Sequence, residues 1–333
     1  MTELTSKMQT HCVGRYLIDM PVDTISFDSA KLQGVDVKVE PMSQQVFLDD
    51  MHKREVELKA MKHIHGYQFM YGDREYGFLD TSTEKLRKEG IWHFIHLTDE
   101  YSGDMGRTIE AYKWSNGYRV KLQIETWDYT RSNLKDTSRG KEMGNRVPQK
   151  LSQVLQFASA FRGRAEDEMP SEPGVCLVGG FIKGAASDEE RIETVFWLNG
   201  TTSDIRLELT TDSGLREADT LLQRSDQADE ILKSRKGSTI RKGQVDLPGI
   251  PQAEEWLMSG TTDAHIPGQH FGLEATSKTS SAKTPMVMLD MDTGVFREDV
   301  PEANRTKTSL TEGEAVGLWD AVSRTLRPRP NGF

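Results

Sequence analysis

The order of elements in the second half of this chain repeats the order in the first, and no other feature constrains the fold as tightly. Cys12-Val-Gly-Arg-Tyr-Leu-Ile-Asp19 is a short apolar run with a cysteine and a glycine, and Val175-Cys-Leu-Val-Gly-Gly-Phe-Ile182 is another. Each leads into further strand-like runs, one long amphipathic segment, more strands and a closing helix. Such a chain is expected to fold as two similar modules. At 333 residues it also exceeds one comfortable core. The acidic stretch 164–174 contains Pro170 and Pro173 and reads as the linker, which gives modules of 1–165 and 174–333.

In the first module, β-branched and aromatic runs predict strands over 13–18, 24–27 and 35–39. A helix is expected over 43–63, with Phe47, Met51, Leu58 and Met61 at helical spacing and Gly66 after it. A hairpin around Gly72-Asp73 and a strand over 91–97 follow. Ser115-Asn116-Gly117 separates two alternating runs, and Asn-Gly suits a primed turn because both residues tolerate positive φ. Residues 132–147 read as a long mobile loop, and Pro148 opens a helix carrying Leu151, Val154, Leu155, Ala158 and Phe161.

The second module predicts strands over 176–182, 192–198 and 204–210, then a helix over 215–233. Strands over 239–245, 270–276 and 286–291 and a helix over 311–326 complete it. Hairpin-linked strands imply largely antiparallel sheets. The fold class is α+β, with two similar modules and helices packed on one face of each sheet.

Charge divides unevenly. Residues 1–165 hold 24 Lys+Arg against 23 Asp+Glu, leaving 18 against 29 for residues 166–333, a balance of −11 in the second module. That module would attract a basic protein face and repel nucleic acid and anionic headgroups. The short basic pairs Arg235-Lys236 and Arg241-Lys242 make no coherent basic face. No stretch is apolar enough to insert in a membrane. Two cysteines make no disulfide framework. Cys12 and Cys176 are read as buried free thiols, although an oxidising compartment would permit a bond joining the two modules.

The sequence carries no Gly-x-Ser-x-Gly elbow, Walker loop or dinucleotide fingerprint. Gly179-Gly180 is expected to permit close packing in a strand. His63, His65, His93 and His96 could meet around zinc, but their spacing shares neither a helix face nor a strand face. Asp290-Met-Asp292-Thr-Gly294 is a single Asp-Thr-Gly without a matching copy. No cofactor and no catalytic set is assigned.

The openings Cys12-Val-Gly-Arg-Tyr-Leu-Ile-Asp-Met-Pro21 and Gly174-Val-Cys-Leu-Val-Gly-Gly-Phe-Ile182 resemble those of the immunity proteins that protect Gram-negative bacteria from type VI secretion phospholipase effectors. The resemblance implies a non-enzymatic two-lobed claw. It would grip a cognate lipase or phospholipase effector one to one in the cleft between its modules and block the effector's lid or active-site entrance. It also implies the periplasm. Residues 1–11 lack an apolar signal core, so an export signal would have been removed. Two other readings stay open: a metal- or carboxylate-dependent periplasmic hydrolase, and an envelope protein that binds peptide or glycan.

Partner contacts are expected from loops. The candidates are Tyr101, Asp104 and Arg107, then Arg139, Lys141 and Arg146, and finally His265 in the loop 261–269. Glu254, Glu255 and Trp256 are added as an exposed acidic edge bearing an aromatic, beside the plainer reading of a partly buried tryptophan.

Overall fold

A computed structural model describes residues 4–78, 80–198, 203–234 and 237–333. The chain begins with β1 (Met8–Val13), β2 (Tyr16–Pro21), β3 (Thr24–Leu32) and β4 (Val35–Pro41), followed by α1 (Gln44–Ala60). Next come β5 (Met70–Tyr71), α2 (Asp80–Lys88), β6 (Ile91–His96), β7 (Gly106–Ser115), β8 (Tyr118–Trp127), α3 (Ser138–Met143), α4 (Val147–Ala160) and β9 (Phe161–Gly163). The second half runs β10 (Gly174–Leu177), β11 (Gly180–Lys183), β12 (Glu190–Leu198), β13 (Ile205–Asp212) and α5 (Leu221–Ser234). It ends with β14 (Ser238–Leu247), β15 (Ile250–Thr261), β16 (Pro267–Ala275), β17 (Met286–Thr293), α6 (Glu312–Ser323) and β18 (Arg327–Pro328). Strands, long helix, strands, helix is the order in both halves.

The compact units are interleaved in sequence. One comprises residues 1–33, 166–178 and 184–333, and the other 34–165 and 179–183. The first 33 residues therefore pack with the C-terminal half. The segment 12–19 and the first part of its rhyming counterpart, 175–178, lie in the same unit and pair with each other: Gly14 N donates to Cys176 O at 2.9 Å, and Cys176 N to Gly14 O at 2.7 Å. Cys12 and Cys176 are disulfide-bonded, so the reading as free thiols is corrected. The bond lies inside this compact unit, and along the sequence it links the first module to the second.

In this first unit, seven strands run β14-β15-β16-β17-β13-β12-β3, every neighbouring pair antiparallel. The row Leu257, Phe271, Met291, Leu207 and Phe196 is fully buried on one face, against Trp319 of α6. α5 lies on the opposite face, where Leu222 N donates to Glu254, Arg224 pairs with Glu274 and Lys242 reaches Ser225. Helices thus cover both faces, which refines the expectation of one covered face.

In the second unit, the order is β4-β8-β7-β6-β5, again antiparallel. Asn116 and Gly117 turn the β7–β8 hairpin with φ of 50° and 86°. Val120, Leu122, Ile109 and Ala111 are buried under Leu151, Val154 and Ala158 of α4. The other face carries α1, whose Arg54 forks onto Glu110 with 3.0 Å bonds. Gly179 has φ +76°, and a Cβ there would stand 2.4 Å from the Tyr118 ring, so close packing explains this glycine.

Several expectations are corrected. No hairpin forms at Gly72-Asp73. Gly72 N donates to Glu75 Oε2 at 2.6 Å, closing a short 3-10 turn over Asp73–Tyr76, and Leu79 lies outside the described residues. Residues 132–147 are not a loose loop. Thr137 caps α3 and Trp127 Nε1 donates to Met143 O at 3.1 Å, tying the segment to β8. α5 starts at Leu221 because Thr220 and Gln223 cap each other reciprocally. Arg235 and Lys236 lie outside the described residues.

Candidate partner-binding site

Three loops converge at one end of the second unit's sheet. Asp104 is buried and accepts from Ser132 Oγ at 2.5 Å and from Asn133 N at 2.9 Å. These bonds lock the 98–104 loop to the 131–137 segment. Ile64 N donates to Glu100 O at 3.1 Å, and His63 Nε2 lies 2.7 Å from Ser102 O, bringing in the 61–68 loop. Beneath them Arg107 has no exposed surface; it bonds Tyr76 Oη at 3.0 Å and Asp104 O at 2.6 Å and lies over the Tyr71 ring. Burial and this guanidinium shift Tyr76 in opposite directions, and burial wins, pushing its hydroxyl up to about 12.

Asp104 and Arg107 therefore brace the loops from below rather than reach a partner. The side chains offered outward are apolar: Tyr101 is 72% exposed, Ile64 59% and Leu134 38%. Ile64 and Leu134 gave no sequence signal, because one apolar residue in a polar loop has no periodicity. Arg139, Lys141 and Arg146 are exposed on and beside α3.

The four histidines serve separate duties. His63 holds Ser102, and the His65 ring lies 5.5 Å from the His63 ring. His93 Nε2 sits 2.7 Å from Asp73 Oδ1, while His96 lies 3.8 Å from Glu110 and bonds Leu97 O through Nδ1 at 2.6 Å. Burial raises the Asp73 carboxyl, but the bonds from His93 and Thr83 bring it below its ordinary value. Among the described residues, no group of three or more His, Cys, Asp or Glu is placed to hold a metal ion.

Glu254, Glu255 and Trp256 form no exposed edge; they lie inside β15, a strand the sequence reading missed. Glu255 is buried and takes hydrogen bonds from Arg241 Nε at 2.7 Å, Arg324 Nη2 at 2.9 Å and Trp319 Nε1 at 3.0 Å. It clamps α6 to the sheet. Trp256 is also buried and donates from Nε1 to Thr239 Oγ1 at 3.0 Å.

His265 is exposed, with φ 60°, on the rim of a recess of about 840 Å³ in the first unit. The 261–265 loop, β16, the end of β17 and the 294–305 segment enclose it. Within it His270 Nδ1 lies 2.7 Å from Asp292 Oδ1. That bond raises the imidazole above its usual range against the effect of burial. Asp290 is pushed up to about 6 by burial, with His270 opposing and Asp292, Glu208 and Glu274 adding to the rise. The His–Asp pair has the spacing of an oriented base. Across β15 its register partner is Met258, and no hydroxyl or thiol among the described residues bonds the ring.

Antiparallel sheets carrying braced loops define an α+β protein with the fold of type VI secretion immunity proteins. Three solved structures share it: a Tle4–Tli4 complex at TM-score 0.76 and 20% identity, covering 98% of this chain and 99% of that one, the apo immunity protein TplEi of the T6SS from Pseudomonas aeruginosa at 0.74 and 21%, covering 98% of each, and TplEi complexed with "L" peptide at 0.70 and 21%, covering 98% and 99%. The Tle cognate immunity protein 4 N-terminal domain matches residues 9–164 and its C-terminal domain residues 168–331. The chain belongs to the Tle cognate immunity protein 4 family. No curated protein sequence matches it.

Proposed function

We propose that this chain is an immunity protein that neutralises a cognate type VI secretion phospholipase by stoichiometric binding in the periplasm, making and breaking no covalent bond of its own. The match of both halves to one immunity family, over 9–164 and 168–331, carries the reading. The Cys12–Cys176 bond suits an oxidising compartment. No helix among the described residues is long and apolar enough to cross a membrane.

The contact surface we assign includes the loop tips of the second unit. Tyr101, Ile64 and Leu134 would supply apolar contact, and Arg139, Lys141 and Arg146 a polar rim. Asp104 and Arg107 hold these loops before binding, which lowers the ordering cost of association.

Co-expression tests the reading. Cells making the cognate type VI secretion phospholipase, targeted to the periplasm, should survive when this chain is exported with it. Killing that continues despite folded, exported protein rejects it.

A further inference from the structure

We infer that the recess in the first unit receives an arginine side chain of the partner phospholipase. This rests on the proposed function and assigns a specific anchor within it. At about 840 Å³ the recess has the size of a ligand pocket. Its walls are of two kinds. Leu232, Met258, Val295 and Phe296 supply apolar surface, while Asp263, Asp292 and Glu302 supply carboxylates. An arginine has both halves of that pattern, an apolar stem and a flat cation whose fork matches carboxylates.

The cations already present are committed. Arg305 spends its guanidinium on the carbonyls of Val300 at 3.0 Å, Arg297 at 3.3 Å and Glu298 at 3.5 Å. Asp292 is already paired, with His270 at 2.7 Å and Arg206 at 3.6 Å, which leaves Asp263 and Glu302 as the carboxylates open to a guest. Asp263 and Glu302 are exposed on the rim. The Thr262 hydroxyl is buried without a partner among the described residues. The surrounding half of the chain, residues 166–333, carries 18 Lys+Arg against 29 Asp+Glu, so its field favours a cationic guest.

The walls are built before any guest arrives. Thr262 N donates to Ile266 O and His265 N to Thr262 O, each at 2.9 Å, closing the loop on itself. A Cβ on Gly268 would meet Thr262 Cγ2 at 2.4 Å, so only glycine lets the loop lie this close to β16. Buried Asp204 accepts from Gly294 N at 3.3 Å and Ser309 N at 2.9 Å, fixing the far wall. A rigid receptor spends little binding free energy on ordering.

Two probes test this. The first is the cognate type VI secretion phospholipase, titrated calorimetrically into the parent chain, into D263N/E302Q and into T261W, which plugs the rim. Thr261, Asp263 and Glu302 are exposed, so thermal midpoints near the parent's should accompany both variants. Affinity at least tenfold weaker in both supports the anchor. Variants that bind within twofold of the parent overturn it, leaving the proposed function intact. The second probe is Nα-acetyl-arginine amide, followed by NMR at His270 with Nα-acetyl-glutamine amide as control. Should the parent chain not bind the phospholipase, the proposed function fails and this probe decides the recess. Shifts specific to arginine then support a guanidinium site, and their absence overturns it.

Discussion

Cys12 and Cys176 form a disulfide across 164 residues of sequence, inside one compact unit. The bond ties β1 to β10, and Gly14, just after β1, pairs through its backbone with Cys176. It fastens the chain's first strands to the body built from its second half. Closing so long a loop removes much of the unfolded chain's freedom. Cys12→Ser with Cys176→Ser should therefore cost about 2–5 kcal/mol. Denaturant unfolding with and without reductant measures it; equal midpoints in both states contradict the assignment.

Glu255 sits where one charge holds three donors. Glu255→Ala leaves Trp319 Nε1 buried without its acceptor and frees Arg241 and Arg324 from their shared partner. The expected loss is about 3 kcal/mol, because breaking a buried ionic cluster costs more than a surface pair. In Arg241→Ala, Glu255 keeps Trp319 and Arg324 as donors, so that change should cost less than Glu255→Ala. A urea midpoint series checks this ordering.

Acid should loosen the second unit through Glu110. Burial raises its carboxyl, but His96, the Arg54 fork and Lys121 outweigh this and hold it well below the ordinary glutamate range. A depressed folded-state value means stability is present above the unfolded value, about 4.3, and is lost as pH falls through the folded one. Glu110→Gln should be less stable at pH 7 and show a flatter acid limb. A parallel acid limb removes Glu110 as the cause.

Asp290 carries the opposite sign. Its folded value is about 6, above the unfolded value, so its ionisation opposes folding as pH rises through that range. Asp290→Asn should stabilise at pH 8 by about 1 kcal/mol, after discounting for solvent at this half-buried position, and give no gain at pH 4. Melting curves at the two pH values decide it.

Much of the fold was legible in the sequence, and the reasons are local. The β7–β8 hairpin was readable because Asn116-Gly117 sits between alternating runs, and α6 because Leu318, Trp319 and Val322 repeat at helical spacing. β15 was missed because Glu255 is an interior position occupied by a charge, which reads as exposure until its three donors are seen. The pairing of the two cysteine segments was hidden because 164 residues separate them. Of the candidate contacts, Tyr101, Arg139, Lys141, Arg146 and His265 lie on the surface, while Asp104, Arg107, Glu255 and Trp256 are buried and Glu254 half-buried. Sequence position cannot separate a loop's tip from its brace, since Tyr101, Asp104 and Arg107 share one short segment and only the fold decides which is covered.

That difference between tip and brace can be measured. Tyr101→Ala with Ile64→Ala should weaken phospholipase binding by about tenfold or more with little change in melting temperature. Arg107→Met should lower the melting temperature first, since it leaves Tyr76 Oη and Asp104 O without their donor. Loop-tip variants that unfold the protein while binding persists would reverse the assignment.

The most direct measurement is inhibition of the cognate type VI secretion phospholipase, assayed on phospholipid vesicles while purified chain is added. Activity is expected to fall linearly and reach its floor at one molar equivalent, with the chain recovered unmodified. Undiminished activity at a severalfold excess of folded chain, or turnover of substrate by the chain alone, contradicts the account.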